Sequence, residues 1–252
     1  MYGNLKVAAV IPARETGTRL ERVVANVDSA VDLVVVVEDG CASPEATATP
    51  FVRRVRHERN MGVGAAILTG YGEARAAGCD VAVVMASDGQ MDPADTRALL
   101  APIAAGTADY VKGDRLSHPA CRTAMPAARR LGNCCLTFLT RVVTGLPVTD
   151  SQCGYTALRL DRLDRLPADW IYPRYGFPND LLAAASGAGL RVSEAVVAPI
   201  YRDEPSGIRP AVAAFVYPLV LARGLVVRAV AWWRGRRRAT LDPAHGVGTV
   251  RR

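Results

Sequence analysis

Three short runs of almost unbroken apolar residues constrain this chain more than any other feature. They are LKVAAVI (Leu5–Ile11), DLVVVVE (Asp32–Glu38) and CDVAVVMA (Cys79–Ala86). A strand with one face in water alternates apolar and polar side chains. A strand that is apolar at every position is covered on both faces, as in a parallel sheet layered between helices. FVRRVRH (Phe51–His57) is a weaker strand of the same set. Helical stretches separate them at Thr18–Ser29 and Gly64–Ala77, and Asp92 followed by Pro93 signals another helix start. The alternation predicts an α/β fold with the loops after Ile11, Glu38 and Ala86 at the carboxyl edge of the sheet, where ligands bind in such folds. Beyond residue 110 the pattern loosens. ADYVKGDR reads as a strand ending at Gly113, ARRLGNCCLTFLTRVVTG as an amphipathic helix closed by Gly145, and RVSEAVVAPIYR as a late strand. TDSQCGYTALR (Thr149–Arg159) reads as an ordered loop before a helix.

Charge is unevenly placed. From Ser206 onward there are nine arginines and a single acid, Asp242; the total is +7, so residues 1–205 carry about −1. A nucleic-acid binder needs a basic stripe on its folded body, so the charge pattern argues against that class; a basic tail beside an apolar segment suits an anionic membrane surface. The six cysteines form no C-x-x-C pair and no zinc spacing with the three histidines, and read as reduced, buried thiols of a cytoplasmic protein. The apolar start is broken by Pro12 and Arg14, which makes it a first strand and not a signal peptide.

The groups able to do chemistry cluster at the predicted strand ends. Glu38 and Asp39 follow a strand, and carboxylates there can accept hydrogen bonds from a nucleobase or ribose, or cap the next helix. Gly62 and Gly64 precede a helix but match neither G-x-G-x-x-G nor a P-loop. They suit close packing against a nucleotide or a plain loop-to-helix turn. In ASDGQMDP, Asp88 and Gln90 lie two apart on a turn, so both oxygens can reach one cation. Mg²⁺ or Mn²⁺ draws most of its shell from phosphate and water, so one carboxylate and one amide suffice in principle. Arg115, Arg122, Arg129 and Arg130 supply forks that match phosphate oxygens.

In their order and spacing, VAAVIPARE, VVVVEDG, RNMGVGAAILTGYGEARAAGCD, MASDGQMDP, VKGDR, LGNCCLTFLTRVVTGLPVTDSQCGYTALR and YGFPNDLL resemble a GT-A glycosyltransferase of family 2 over residues 5–205. The branch most similar holds dolichol-phosphate mannose synthases and bacterial polyprenyl-phosphate sugar synthases. The resemblance implies that Pro12, Arg14 and Glu15 form the first nucleotide-contacting loop and that Asp39 reads the base. Its D-x-D motif falls on Ala86-Ser87-Asp88: the metal-contacting second acid is kept as Asp88, the first is absent, and Ser87 or water fills in. Gln90 matches an additional metal ligand, Arg115 and Arg122 hold donor or acceptor phosphate, and Asp150 lies on the acceptor side.

The reaction so implied is inverting displacement at the anomeric carbon of a UDP- or GDP-sugar, aided by Mg²⁺ or Mn²⁺ at Asp88 and Gln90. A lipid-phosphate acceptor is already an anionic nucleophile; a hydroxyl acceptor requires a base, for which Asp150 is the candidate. The run Ala211–Trp233 is long enough to span a bilayer. Arg223 and Arg228 would each cost about 2.5–3.5 kcal/mol at its centre, and Pro218 and Gly224 interrupt it. Trp232-Trp233 followed by Arg234, Arg236, Arg237 and Arg238 is an interfacial anchor pattern. The expected organisation is a catalytic domain over 1–205, a helical segment over 206–238 lying on the inner face of the cytoplasmic membrane, and an unstructured tail over 239–252. The alternative packs that segment on the core or on a second subunit of a homo-oligomer. ETGTRL (Glu15–Leu20) is similar to the G-T-R-L loop of sugar-nucleotide pyrophosphorylases, but lacks their preceding glycines, and no lysine follows before Lys112. The missing first acid also admits a non-catalytic sugar-nucleotide binder.

Overall fold

The computed structural model describes residues 1–14, 17–41, 50–174, 176–201 and 210–241. Seven strands make one sheet: β1 (Val7–Ala13), β2 (Leu33–Asp39), β3 (Val52–His57), β4 (Val81–Val84), β5 (Tyr110–Asp114), β6 (Thr156–Arg159) and β7 (Val192–Val196). Their order is β3-β2-β1-β4-β6-β5-β7, and every pairing is parallel except those of β6, which runs antiparallel to β4 and β5. Alternate residues of the central strands enter two separate cores. Ala8, Val10, Val35 and Val37 pack on one face; Val7, Ala9, Ile11, Val34 and Val36 pack on the other. With both faces buried, no polar position is left to produce an alternating pattern.

The helices are α1 (Thr18–Ala25), α2 (Val63–Ala76), α3 (Thr96–Ala104), α4 (Cys121–Ala124), α5 (Ala127–Thr144), α6 (Phe177–Gly187) and α7 (Pro210–Leu241). Leu20 and Val23 of α1 join Leu99, Leu100 and Ile103 of α3 over one face of the sheet. Ile67 and Tyr71 of α2 join Leu181 and Leu182 of α6 over the other. Helix α1 stops at Ala25, short of the expected Ser29. The Asn26 amide donates back to the Arg22 carbonyl (2.7 Å), and Asp28 takes the Ala30 N–H into a turn of its own (2.7 Å). G-T-R-L is therefore a helix start and not a free loop. Asp92 caps the Pro93–Asp95 turn ahead of α3, and α5 ends on left-handed Gly145 (φ 71), both as expected.

The Thr149–Arg159 segment departs from expectation. Its second half is strand β6, inserted between β4 and β5, and a 3₁₀ turn over Leu160–Arg165 follows it instead of an α-helix. Ala157 and Leu158 enter opposite cores, and a strand of four residues is too short to display a period. Not all the thiols are buried either. Cys79, Cys121 and Cys153 are, whereas Cys134 and Cys135 are exposed on α5.

Helix α7 packs on α6 and α5, which is the core-packed arrangement. A side chain at Gly187 would collide with the Arg228 carbonyl, so the two helices approach backbone to backbone there. Val220, Val227 and Ala231 are buried in the contact. Arg223 and Arg228, which argue against a bilayer span, bond to the body of the protein, and Arg234 pairs with it at the surface. Arg223 Nε donates to Asp180 (3.0 Å), Arg228 to the Val143 carbonyl (2.7 Å) and Arg234 to Asp169 (2.7 and 2.9 Å). No helix among the described residues is long and apolar enough to cross a membrane. The boundary expected at residue 205 lies outside the described residues. The tail expected from 239 is helical through Leu241, and 242–252 lie outside them.

Candidate active site

A cleft of about 420 Å³ opens at the carboxyl edge of β1, β2 and β4. Pro12 and Arg14 reach it from the end of β1, Asp39 from the end of β2, Gly62 from the turn before α2, and Ser87 and Asp88 from the turn after β4. Arg174 and Asn60 close the wall above Gly62. Six residues singled out from the sequence thus meet in one cavity. Glu38, Gly64, Gln90, Arg115, Arg122 and Asp150 do not line it, and Glu15 lies outside the described residues.

Asp39 is chiefly a clamp. Its Oδ1 accepts the Met61 N–H (2.8 Å) and the His57 Nδ1–H (2.8 Å), and its Oδ2 accepts the Gly62 N–H (2.7 Å). Because a carboxylate only accepts, His57 carries its proton on Nδ1, and a neutral ring then takes the Thr69 hydroxyl on Nε2 (3.0 Å). Burial alone would raise the Asp39 pKa; the His57 hydrogen bond and the two backbone donors outweigh it and hold the group below the usual carboxylate range. One lone pair of Oδ2 remains for a base N–H. Glu38, one residue earlier, points away from the cleft and pairs with Arg54 (3.3 Å) and Arg56 (3.5 Å). That corrects its assignment as a nucleotide contact.

The glycines also have a different use from the one expected. A Cβ on Gly64 would meet the Phe177 ring at 2.5 Å and the Tyr172 carbonyl at 2.8 Å; one on Gly62 would meet the Pro173 carbonyl and Arg174 Cγ. The Pro173 carbonyl accepts the Gly64 N–H (2.7 Å) and the Ala65 N–H (3.3 Å). The start of α2 is therefore capped by the chain itself, and the glycines admit Tyr172, Pro173, Arg174 and Phe177.

On the β4 turn, Asp88 Oδ1 accepts the Gln90 N–H (2.9 Å) in an Asx turn, and Oδ2 has no protein partner among the described residues. Gln90, the other expected ligand, does not line the cleft, whereas Ser87 does. Among the described residues no group of three or more His, Cys, Asp or Glu is placed to hold a metal ion. One open carboxylate oxygen beside a hydroxyl fits a hard cation that takes its other oxygens from phosphate and water.

Arg115 and Asp150 form a second, buried cluster. Asp150 is fully buried and accepts from the Arg115 N–H (3.2 Å), Nε (2.8 Å) and Nη2 (3.1 Å) and from the Gln152 N–H (3.1 Å). Those contacts fill the roughly four acceptor positions of a carboxylate. Burial would raise its pKa, but the hydrogen bond and charge of Arg115, with Lys112 behind, hold it below the ordinary value. A carboxylate so occupied does not take a proton from a hydroxyl, which corrects its candidacy as general base. Arg115 also reaches the Tyr201 hydroxyl (3.3 Å), and the Arg129 guanidinium stacks on the Tyr201 ring (4.6 Å). Arg122 is exposed on α4. Sequence reading missed Lys112, fully buried on β5 with Nζ on the Cys153 carbonyl (2.5 Å), and Arg174. A lysine inside a strand and an arginine after a proline carry no local signal.

Known proteins place this geometry. The profile of Glycosyl transferase family 2 matches residues 8–166. A UDP-N-acetylglucosamine–dolichyl-phosphate N-acetylglucosaminyltransferase of Methanococcus voltae is 34% identical over 149 residues, 59% of each chain. The chain thus matches about three fifths of that relative's length. An undecaprenyl-phosphate mannosyltransferase of Micrococcus luteus is 29% identical over 180 residues, 68% of this chain and 72% of that one. Among solved structures, glucosyl-3-phosphoglycerate synthase of Mycobacterium tuberculosis, in complex with Mn²⁺, UDP and phosphoglyceric acid, superposes with a TM-score of 0.60 at 18% identity, over 90% of this chain and 80% of that one. This likeness concerns the fold, which is GT-A. On the extent of the family match, the chain belongs to glycosyltransferase family 2 and is a glycosyltransferase.

Proposed function

We propose that this enzyme transfers a sugar from a UDP- or GDP-sugar to a polyprenyl phosphate at the inner face of the cytoplasmic membrane, inverting the anomeric carbon. The observation that carries the reading is the cleft itself. Asp39 keeps one acceptor position for a base N–H at one end, and Asp88 presents an open carboxylate oxygen at the other. Two relatives are named for transfer to dolichyl or undecaprenyl phosphate. Mg²⁺ or Mn²⁺ held by Asp88 and Ser87 would neutralise charge on the leaving diphosphate.

The occupied carboxylate of Asp150 supports a phosphate acceptor. With its carboxylate fully occupied by Arg115 and Gln152, the site has no base there to activate a hydroxyl, and a phosphate needs none. Arg129, stacked on Tyr201, with Arg122 nearby in sequence, supplies positive charge for such an anion. Helices α5 and α7 offer a surface suited to the lipid. Leu131, Phe138, Leu139 and Val142 of α5 and Leu225, Val226, Trp232 and Trp233 of α7 are all exposed on two helices that pack together. Neither helix contains an acid. Arg236 and Arg237 stack on Trp232 and Trp233 (4.8 and 3.8 Å). Apolar rings rimmed by guanidinium groups suit an anionic bilayer.

The test is a panel of UDP- and GDP-sugars with Mn²⁺ or Mg²⁺ and a polyprenyl phosphate, scored for glycolipid. One donor should give a metal-stimulated product that Asp88→Asn reduces at least about 100-fold, as for loss of a group that stabilises a developing charge. A variant as fast as the parent would remove Asp88 from the site; product only with a hydroxyl acceptor would overturn the assignment of the acceptor.

A further inference from the structure

The cleft holds a cation that neither the D-x-D comparison nor the expected nucleotide loop includes. Arg174 lines the same cleft as the β4 turn, and the two residues before it are fixed by backbone contacts. The Pro173 carbonyl sits on the first N–H groups of α2 (Gly64, 2.7 Å), and the Tyr172 N–H is held by the fully buried Asp180 carboxylate (2.9 Å). Glycine at position 62 leaves room for the Arg174 stem, whose Cγ would lie 2.8 Å from a Cβ there. The guanidinium donates once, weakly, to Asn60 Oδ1 (3.4 Å), which leaves most of its five donors for a ligand.

The charge balance of the cleft says what that ligand is. Arg14 and Arg174 both line the cleft, and no carboxylate pairs with either among the described residues. Many other arginines of the body are tied to acids, as Arg115 is to Asp150 and Arg223 to Asp180. On the acidic side, Asp39 is clamped by His57 and two backbone donors, and Ala86 stands where the motif has its first acid, so among the described residues that line the cleft Asp88 is the carboxylate with a wholly open oxygen. Among the described residues, two guanidinium groups without a carboxylate partner and one open carboxylate line the cavity, a balance that attracts an anion before any metal enters. A planar fork also matches phosphate oxygens in pairs.

We propose that Arg174, together with Arg14, holds the diphosphate of the donor nucleotide directly, so that nucleoside-diphosphate binding persists without metal. This rests on the donor reading above and adds to it a specific division of labour. The two arginines supply standing affinity for the diphosphate, and Asp88 supplies only the metal-dependent increment. The loss of the first acid of the D-x-D motif is then tolerated because diphosphate binding does not depend on the metal alone.

The experiment is calorimetric titration of the full chain with UDP and with GDP, in EDTA and in Mn²⁺, for the parent, Arg174→Gln, Arg174→Lys and Asp88→Asn. The parent should bind one nucleotide in EDTA within about tenfold of its affinity in Mn²⁺. Arg174→Gln should lose about tenfold or more in EDTA, the worth of a charge-assisted pair of hydrogen bonds. Arg174→Lys should fall between the two, since it keeps the charge and loses the fork. Asp88→Asn should bind at least as tightly as the parent in EDTA, where it removes only a charge that repels the diphosphate, and lose the gain from Mn²⁺. The side chain is exposed, so folding is expected to survive, and an unchanged circular dichroism spectrum verifies it. If Arg174→Gln binds as the parent does in EDTA, or the parent binds only with Mn²⁺, this inference falls while the donor reading stands. If neither nucleotide binds even with Mn²⁺, both fall.

Discussion

At the scale of single residues, the decisive feature is how many acceptor positions each carboxylate has left. Asp39 and Asp150 both stood out in the sequence as candidate site acids, yet their oxygens are largely or wholly taken by the protein, while Asp88 keeps one open. Which acids are free is not legible in sequence, because the donors come from residues far along the chain: Arg115 for Asp150, Met61 and Gly62 for Asp39. A structural Asp150 makes a prediction that a catalytic one does not. Asp150→Asn leaves Arg115 and Lys112 buried without a counter-charge and should cost about 3–5 kcal/mol in denaturant unfolding at pH 7. The folded pKa of Asp150 is depressed, so its stabilisation is present in full above the unfolded value near about 3.9 and is lost as pH falls through the folded one. The stability gap between parent and variant should therefore be flat from about pH 5 to 8 and shrink only in stronger acid. A gap that closes between pH 6 and 8 would mean an acid with a raised pKa, poised as a base.

At the scale of elements, the strands that build the carboxyl edge were readable because they are buried on both faces, and this fixed the positions of Pro12, Asp39 and Asp88 in advance. Strand β6 was not, since four residues between two neighbours carry no period. The placement of Tyr172, Pro173, Arg174 and Phe177 was also hidden, because it depends on the glycines of a helix more than a hundred residues earlier. That contact is testable. Gly64→Ala should force the Phe177 ring and the Tyr172 carbonyl aside, destabilise the fold by about 1–3 kcal/mol and displace the chain that carries Arg174. Thermal unfolding and nucleotide titration should fall together. Normal stability with normal binding would show that α2 and these residues are not packed as described. Helix α7 is tied into the same unit, since Arg223 shares Asp180 with the Tyr172 N–H.

At the scale of the whole molecule, one edge of the sheet holds the donor cleft, while α5 and α7 turn an acid-free apolar face outward. The sequence showed that α7 is apolar and arginine-rich but not which arginines bond to the body of the protein. Arg223, Arg228 and Arg234 serve the protein, and Arg236 and Arg237 stay with the tryptophans. Vesicles containing phosphatidylglycerol should therefore co-sediment the protein, and Trp232→Ala with Trp233→Ala should weaken this about tenfold or more. Part of the affinity should be lost between 0.05 and 0.5 M salt, as estimated from screening. A stable dimer that ignores vesicles would assign the face to a second copy of the chain. The central claim, that a single acid at the sheet edge holds the cation against the donor's diphosphate, has a more direct test. In a crystal soaked with UDP or GDP and Mn²⁺, the anomalous peak should lie about 2.1 Å from Asp88 Oδ2, the spacing of a small divalent ion on oxygen, with the diphosphate beside it. A diphosphate and manganese bound elsewhere, with Asp88 turned away, would contradict the account.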